Sequence, residues 1–151
     1  MKKYIYSLVT ALALCCGFAS CGDDNDDPVI NYDTTAAQGS AGTYSGTWSK
    51  SANGNETTST GTVTLAAAST ANNTNVTFSC TEFDIDATSI ANVTHASYGY
   101  VFNNNVSTNP LGAGFSGRID EDGTIQLNFQ KEVREGRQRT IYVFKFIGKK
   151  N

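Results

Sequence analysis

The chain has 151 residues, 39% of them hydrophobic and only 17% charged, with fourteen acidic residues against eleven basic ones and a net charge of −3. That length suits one domain and excludes a multidomain enzyme or a long repeat array. With no basic excess to neutralise phosphates, a nucleic-acid partner is excluded as well.

Met1, Lys2 and Lys3 make a short positive start, and the run from Tyr4 to Phe18 that follows carries no charge. This run is shorter than the about 20 residues a membrane span requires. It fits the apolar region of a signal peptide, so residues 1–20 are read as one. Two small residues, Ala19 and Ser20, then precede Cys21. Phe18-Ala19-Ser20-Cys21 resembles a bacterial lipobox, with Phe where Leu is usual. The resemblance implies cleavage before Cys21, a diacylglyceryl group on its sulfur and an acyl chain on its amine, so the first expected partner is a membrane. A single chain, at about 0.8 kcal/mol per buried methylene, binds a bilayer only marginally, whereas a triacylated cysteine stays. An ordinary secreted protein cut near Ser20 is the alternative reading.

Without residues 1–20 the chain keeps nine basic and fourteen acidic residues, and five of the acids, Asp23, Asp24, Asp26, Asp27 and Asp33, precede Gly42. From Gly42 onward acids and bases balance at nine each. Segment 21–41 has few apolar residues and no usable period, and it is read as a disordered acidic tether behind the lipidated cysteine. An acidic run directly after the cysteine resembles the surface-export signal of Bacteroidetes lipoproteins, which implies an outer-membrane location facing outward; a spacer on the periplasmic face is the alternative. Asp33-Thr34-Thr35 resembles the short O-glycosylation acceptor of the same bacteria. Of the four cysteines only Cys80 remains beyond Cys21. No disulfide can then form within the domain, and its core must hold it.

Residues 42–151 are rich in Thr, Ser, Asn and Gly and alternate at period two between turn residues, the pattern of strands. Tyr44, Gly46 and Trp48 share one face; Val63 and Leu65 alternate with threonines; Val76, Phe78 and Cys80 alternate with Thr77, Ser79 and Thr81. Parity resets at Phe83, Ile85 and Ala87, and a less regular stretch from Thr94 to Phe102 places Tyr98, Tyr100 and Phe102 together. Phe115, Gly117 and Ile119 lead to a turn at Asp120–Gly123, whose Asp-Gly supplies the positive φ of a tight hairpin. Ile125, Leu127 and Phe129 follow, then a charged loop Lys131–Gln138, then a strand from Thr140 to Ile147 that is apolar on both faces. This predicts an all-β domain of about eight antiparallel strands. An up-and-down barrel of that size just encloses side chains or one small ligand, with a β-sandwich as the rival. Closure is preferred because it removes both sheet edges.

The opening Ala41-Gly42-Thr43-Tyr44-Ser45-Gly46-Thr47-Trp48, the Gly61–Leu65 strand and the closing Asp122-Gly123-Thr124-Ile125-Gln126-Leu127-Asn128-Phe129 are similar to the calycin-like (lipocalin-like) β-barrel domain of Bacteroidetes lipoproteins, over nearly all of residues 42–148. Gly46-Thr47-Trp48 also resembles the Gly-x-Trp of lipocalins and avidins. That resemblance implies a Trp closing the barrel base, beneath a basic side chain such as Arg139 or Lys145.

Chemistry is sparse. His95 is the only imidazole, no Gly-x-Ser-x-Gly elbow accompanies it, and no catalytic residue is assigned. One His and one Cys cannot make the usual zinc sets, and neither Glu82-Asp84-Asp86 nor Asp120–Asp122 matches a calcium loop, so neither metal nor cofactor is expected. The Lys131–Arg139 segment interleaves basic and acidic residues. It could hold an anionic group at a barrel mouth or serve as a solvated loop. The reading is a non-enzymatic binder of a small apolar or amphipathic ligand, with Trp48, Tyr98, Tyr100 and Arg139 as candidate binding residues. The alternative is a structural or interaction protein with a filled core that contacts glycans or envelope proteins.

Overall fold

The computed structural model describes residues 32–69, 72–106 and 109–151, of which residues 32–35 by their backbone alone. The signal segment and Cys21 lie outside the described residues. Eight strands follow in order: β1 (Gly42–Ala52), β2 (Asn55–Ala67), β3 (Asn73–Cys80), β4 (Ile85–Ala96), β5 (Gly99–Asn104), β6 (Phe115–Asp120), β7 (Thr124–Glu135) and β8 (Gln138–Lys150). Each pairs antiparallel with the next, and β8 returns to β1, Trp48 opposite Phe146, so the sheet is a closed up-and-down barrel. The sandwich is excluded.

Turn chemistry sets the registers. Asn53 and Gly54 both have positive φ, 51° and 83°, and join β1 to β2 in the two-residue turn that Asn-Gly favours. At Asp120–Gly123 the Gly123 amide donates to the Asp120 carbonyl at 2.9 Å, and Asp122 accepts hydrogen bonds from both the backbone and the hydroxyl of Thr124. Those two bonds hold the Asp122 carboxyl below its ordinary value.

Four local expectations need correction. Residues 32–40 of the supposed tether form helix α1 (Tyr32–Ser40), which buries Ala36, Ala37 and Ser40. The helix has no amphipathic period to betray it; it forms where two alanines, good helix formers, find the end of the barrel to cover. The Asp33-Thr34-Thr35 triplet therefore lies in its first turns. The parity reset near Phe83 is a chain reversal, a 3-10 turn at Thr81–Phe83 ended by Asp84 at φ 52°, ψ 44°, and Cys80 pairs with Ile85. The Thr94–Phe102 stretch is not one strand: β4 ends at Ala96 and β5 begins at Gly99, with exposed Tyr98 in the turn. The charged segment Lys131–Gln138 is nearly all strand, because β7 and β8 stay paired out to Glu135 and Gln138.

The lumen is filled at the level of Trp48. Its indole is fully buried, with ring centroids 4.9 Å from Phe146, 6.0 Å from Phe129 and 6.4 Å from Phe78. Phe78 in turn meets Phe115 edge-on at 5.0 Å. Gly61 makes room for this layer. A Cβ there would strike the Ser79 carbonyl oxygen and stand 2.7 Å from Trp48 Cδ1. Gly61→Ala is accordingly expected to cost about 1–3 kcal/mol, as overpacking does. It should lower the urea midpoint at unchanged slope. An unmoved midpoint would show that the indole has space to retreat.

Candidate functional site

The two ends of the barrel differ. At one end α1 lies across the opening: the Tyr44 hydroxyl donates to the Ser40 carbonyl at 2.8 Å, and Gly39 sits so close to the Tyr100 hydroxyl that a side chain there would push Tyr100 aside. Burial first, and the neighbouring Tyr100 second, push the Tyr44 hydroxyl up to about 12. Among the described residues this end is a plug.

Among the described residues the other end is open and has a wall. β2 pairs with β3 only from Thr62 onward, and β7 pairs with β6 only up to Phe129, while the β1–β2 and β7–β8 hairpins run on. The overhanging ends of β2, β1, β8 and β7 form a four-stranded wall beyond the Trp48 layer. Strand alternation then decides which groups face the mouth. Trp48 faces in, so Lys50 and Ala52 face in too, as do their partners Thr57 and Asn55 on β2 and Phe144 and Tyr142 on β8 and at its register.

Between this wall and the 3-10 turn lies a cleft of about 690 Å³. That volume is within the range of roughly 300–1,000 Å³ typical of small-molecule sites. Lys50, Phe83 and Tyr142 form its floor, and Asn53, Asn55, Thr57, Thr140 and Glu82 its sides. The Lys50 ammonium stands 4.6 Å from the Tyr142 ring centre, with Phe144 at 5.8 Å and Phe83 at 5.9 Å. Attraction to three ring faces holds the cation in place without a carboxylate. Among the described residues the four ion pairs, Arg118–Asp120, Arg134–Glu132, Arg139–Glu132 and Lys149–Asp122, all lie elsewhere. A smaller recess of about 90 Å³ lies past Phe83, against Leu111, Phe129, Phe144 and Lys131.

The four candidate residues do not share this cleft. Trp48 is sealed beneath it in the core. Tyr100 is half-buried at the plugged end, edge-on to His95 at 5.2 Å. Tyr98 is 49% exposed and lines an outer groove with Val101, Arg118 and Gln126. Arg139 lies on the outer face of the wall, where it and Arg134 pair with Glu132 at 2.6 Å and 2.5 Å. Those contacts, the Arg134 hydrogen bond foremost, hold the Glu132 carboxyl below its ordinary value. No basic side chain from the last strand covers Trp48; Lys145 is exposed, on the same outward parity as Arg139. What sequence reasoning missed is Lys50, two residues beyond Trp48 and therefore on the inward parity. A charge at an inward position was the available signal.

The fold defines the class: a closed eight-stranded antiparallel up-and-down β-barrel with one end plugged and one open, an architecture consistent with the calycin resemblance. No protein-family model, curated protein or solved structure matches the chain.

Proposed function

We propose that this chain is a calycin-like lipoprotein of the Bacteroidetes kind, anchored through Cys21 in the outer membrane and facing outward, that binds a small amphipathic ligand without catalysis. The observation that carries the binding role is the open cleft of about 690 Å³ above a filled lumen, with an aromatic floor and polar sides. A ligand entering the lumen would have to displace Trp48 and its neighbours; one resting in the mouth displaces only water. The exposed polar sides offer a ligand amides and hydroxyls to bond to, which favours an amphipathic ligand over a purely apolar one. The anchor is supported by Phe18-Ala19-Ser20-Cys21 and the acidic residues behind it.

Native mass spectrometry of the protein purified from its host is the direct test. A small-molecule adduct that disappears in Tyr142→Ala is the expected result; an adduct-free spectrum in both proteins overturns the binding role. The filled core also suits the second reading, a rim that contacts a glycan or a neighbouring envelope protein, and cross-linking in intact cells would then capture a macromolecule. For the anchor, Cys21→Ser is expected to leave the membrane fraction. A variant that still partitions with the outer membrane overturns the localisation.

A further inference from the structure

Resting on the mouth-binding reading, we infer that the cleft selects a hydroxylated ring that carries a carboxylate, an acidic sugar of the uronic type. Three features of the cleft each specify one part of such a ligand. The first is Lys50, a half-buried residue whose ammonium has three aromatic rings around it and no carboxylate within ion-pair distance among the described residues. A cation held against rings with no carboxylate partner is a standing site for an anion, since a charge-assisted hydrogen bond adds to cation–π attraction and does not replace it. The second is the floor itself. Tyr142 and Phe83 present apolar ring surface to the cleft, against which the C–H face of a saturated ring can lie.

The third is the side walls. Asn53, Asn55, Thr57 and Thr140 are neutral groups able both to donate and to accept. An aromatic or fatty acid would satisfy Lys50 and the floor but make no use of these solvated amides and hydroxyls, whereas ring hydroxyls can bond to them. Glu82 also lines the cleft and opposes the ligand's charge. Its presence gives the inference a signature that a merely sticky cleft would lack.

The test is a titration of the full chain in detergent micelles, followed by the amide NMR signals of residues 50–58 and 140–142, with D-glucuronate, methyl glucoside and phenylacetate as probes. Glucuronate is expected to bind tighter than methyl glucoside by roughly tenfold or more, the worth of a hydrogen bond to a charged group. Lys50→Met, which keeps the stem over the rings, should abolish that preference, and Glu82→Gln should strengthen glucuronate binding. Added salt should weaken glucuronate and leave methyl glucoside unchanged, a readout that needs no variant. Equal binding of the two sugars, an unaffected Lys50→Met, or tighter binding of phenylacetate would each overturn the inference. A neutral adduct in the native mass spectrum would overturn it too, while leaving the mouth-binding reading intact; absence of any adduct would remove both.

Discussion

Trp48→Ala is expected to bring the domain close to unfolding at room temperature. Truncating a fully buried Trp costs about 3–5 kcal/mol, against a total of roughly 5–15 kcal/mol for a typical domain. The loss should sit at the high end here. Trp48 bridges both sides of the barrel seam, opposite Phe146 on β8 and Ser59 on β2, and its ring touches three phenylalanines. The β-strands around the hole cannot collapse into it, because their spacing is fixed by a closed ladder. Within the described residues no disulfide offsets the loss, since Cys80 is free. Chemical denaturation should show a large drop in midpoint at an unchanged slope. A drop of less than about 1 kcal/mol would mean that the lumen is not held by this layer.

The second large effect is alkaline. The Tyr44 hydroxyl is pushed from 10.0 up to about 12 by burial and by Tyr100. Unfolding returns it to its ordinary value. Between pH 10 and about 12 the unfolded chain therefore gives up a proton that the folded chain retains. Stability from this group is whole below pH 10 and declines as pH rises through that window. At about 1.4 kcal/mol per pH unit the decline amounts to roughly 2–3 kcal/mol. The measurement is the difference between the stability curves of the wild type and Tyr44→Phe from pH 8 to 12. Tyr44→Phe should start lower by about 1 kcal/mol, having lost the hydrogen bond to Ser40. It should then fall less steeply than the wild type above pH 10. Parallel curves across the window would show that Tyr44 ionises as readily folded as unfolded.

Much of this fold is legible in the residues, for a physical reason: in a closed barrel one face of every strand is buried, so alternation is written plainly. Val63 and Leu65, Val76 and Phe78, and Ile125 through Phe129 each show it, and each lies inward as read. Asn53 and Gly54 mark one turn, and Gly123 after Asp122 another, through the positive φ they supply. The illegible parts are those set by neighbours and not by period. Helix α1 exists because the barrel end needs cover, and Thr81–Asp84 reverses the chain with no Gly or Pro to announce it. Lys131–Gln138 reads as a charged loop because strands beyond the core lose their apolar face while keeping their ladder. The site suffered from the same cause. In so small a barrel most aromatics are structural, and the mouth is lined by Lys50, Phe83, Tyr142 and polar groups of the overhang, whose roles depend on where the strands outrun the core.

The overhang also separates the part of the protein that must be conserved in shape from the part that is free to vary. Through the Trp48 layer and the Phe129–Phe144 stack above it nearly every substitution is felt through close packing; beyond them, the exposed ends of the two long hairpins line the cleft and little else. Their side chains can be exchanged, and their tips lengthened, without reopening the question of folding. A scaffold divided this way resembles a handle with an interchangeable head: relatives built on the same trunk could present quite different chemistries at the rim.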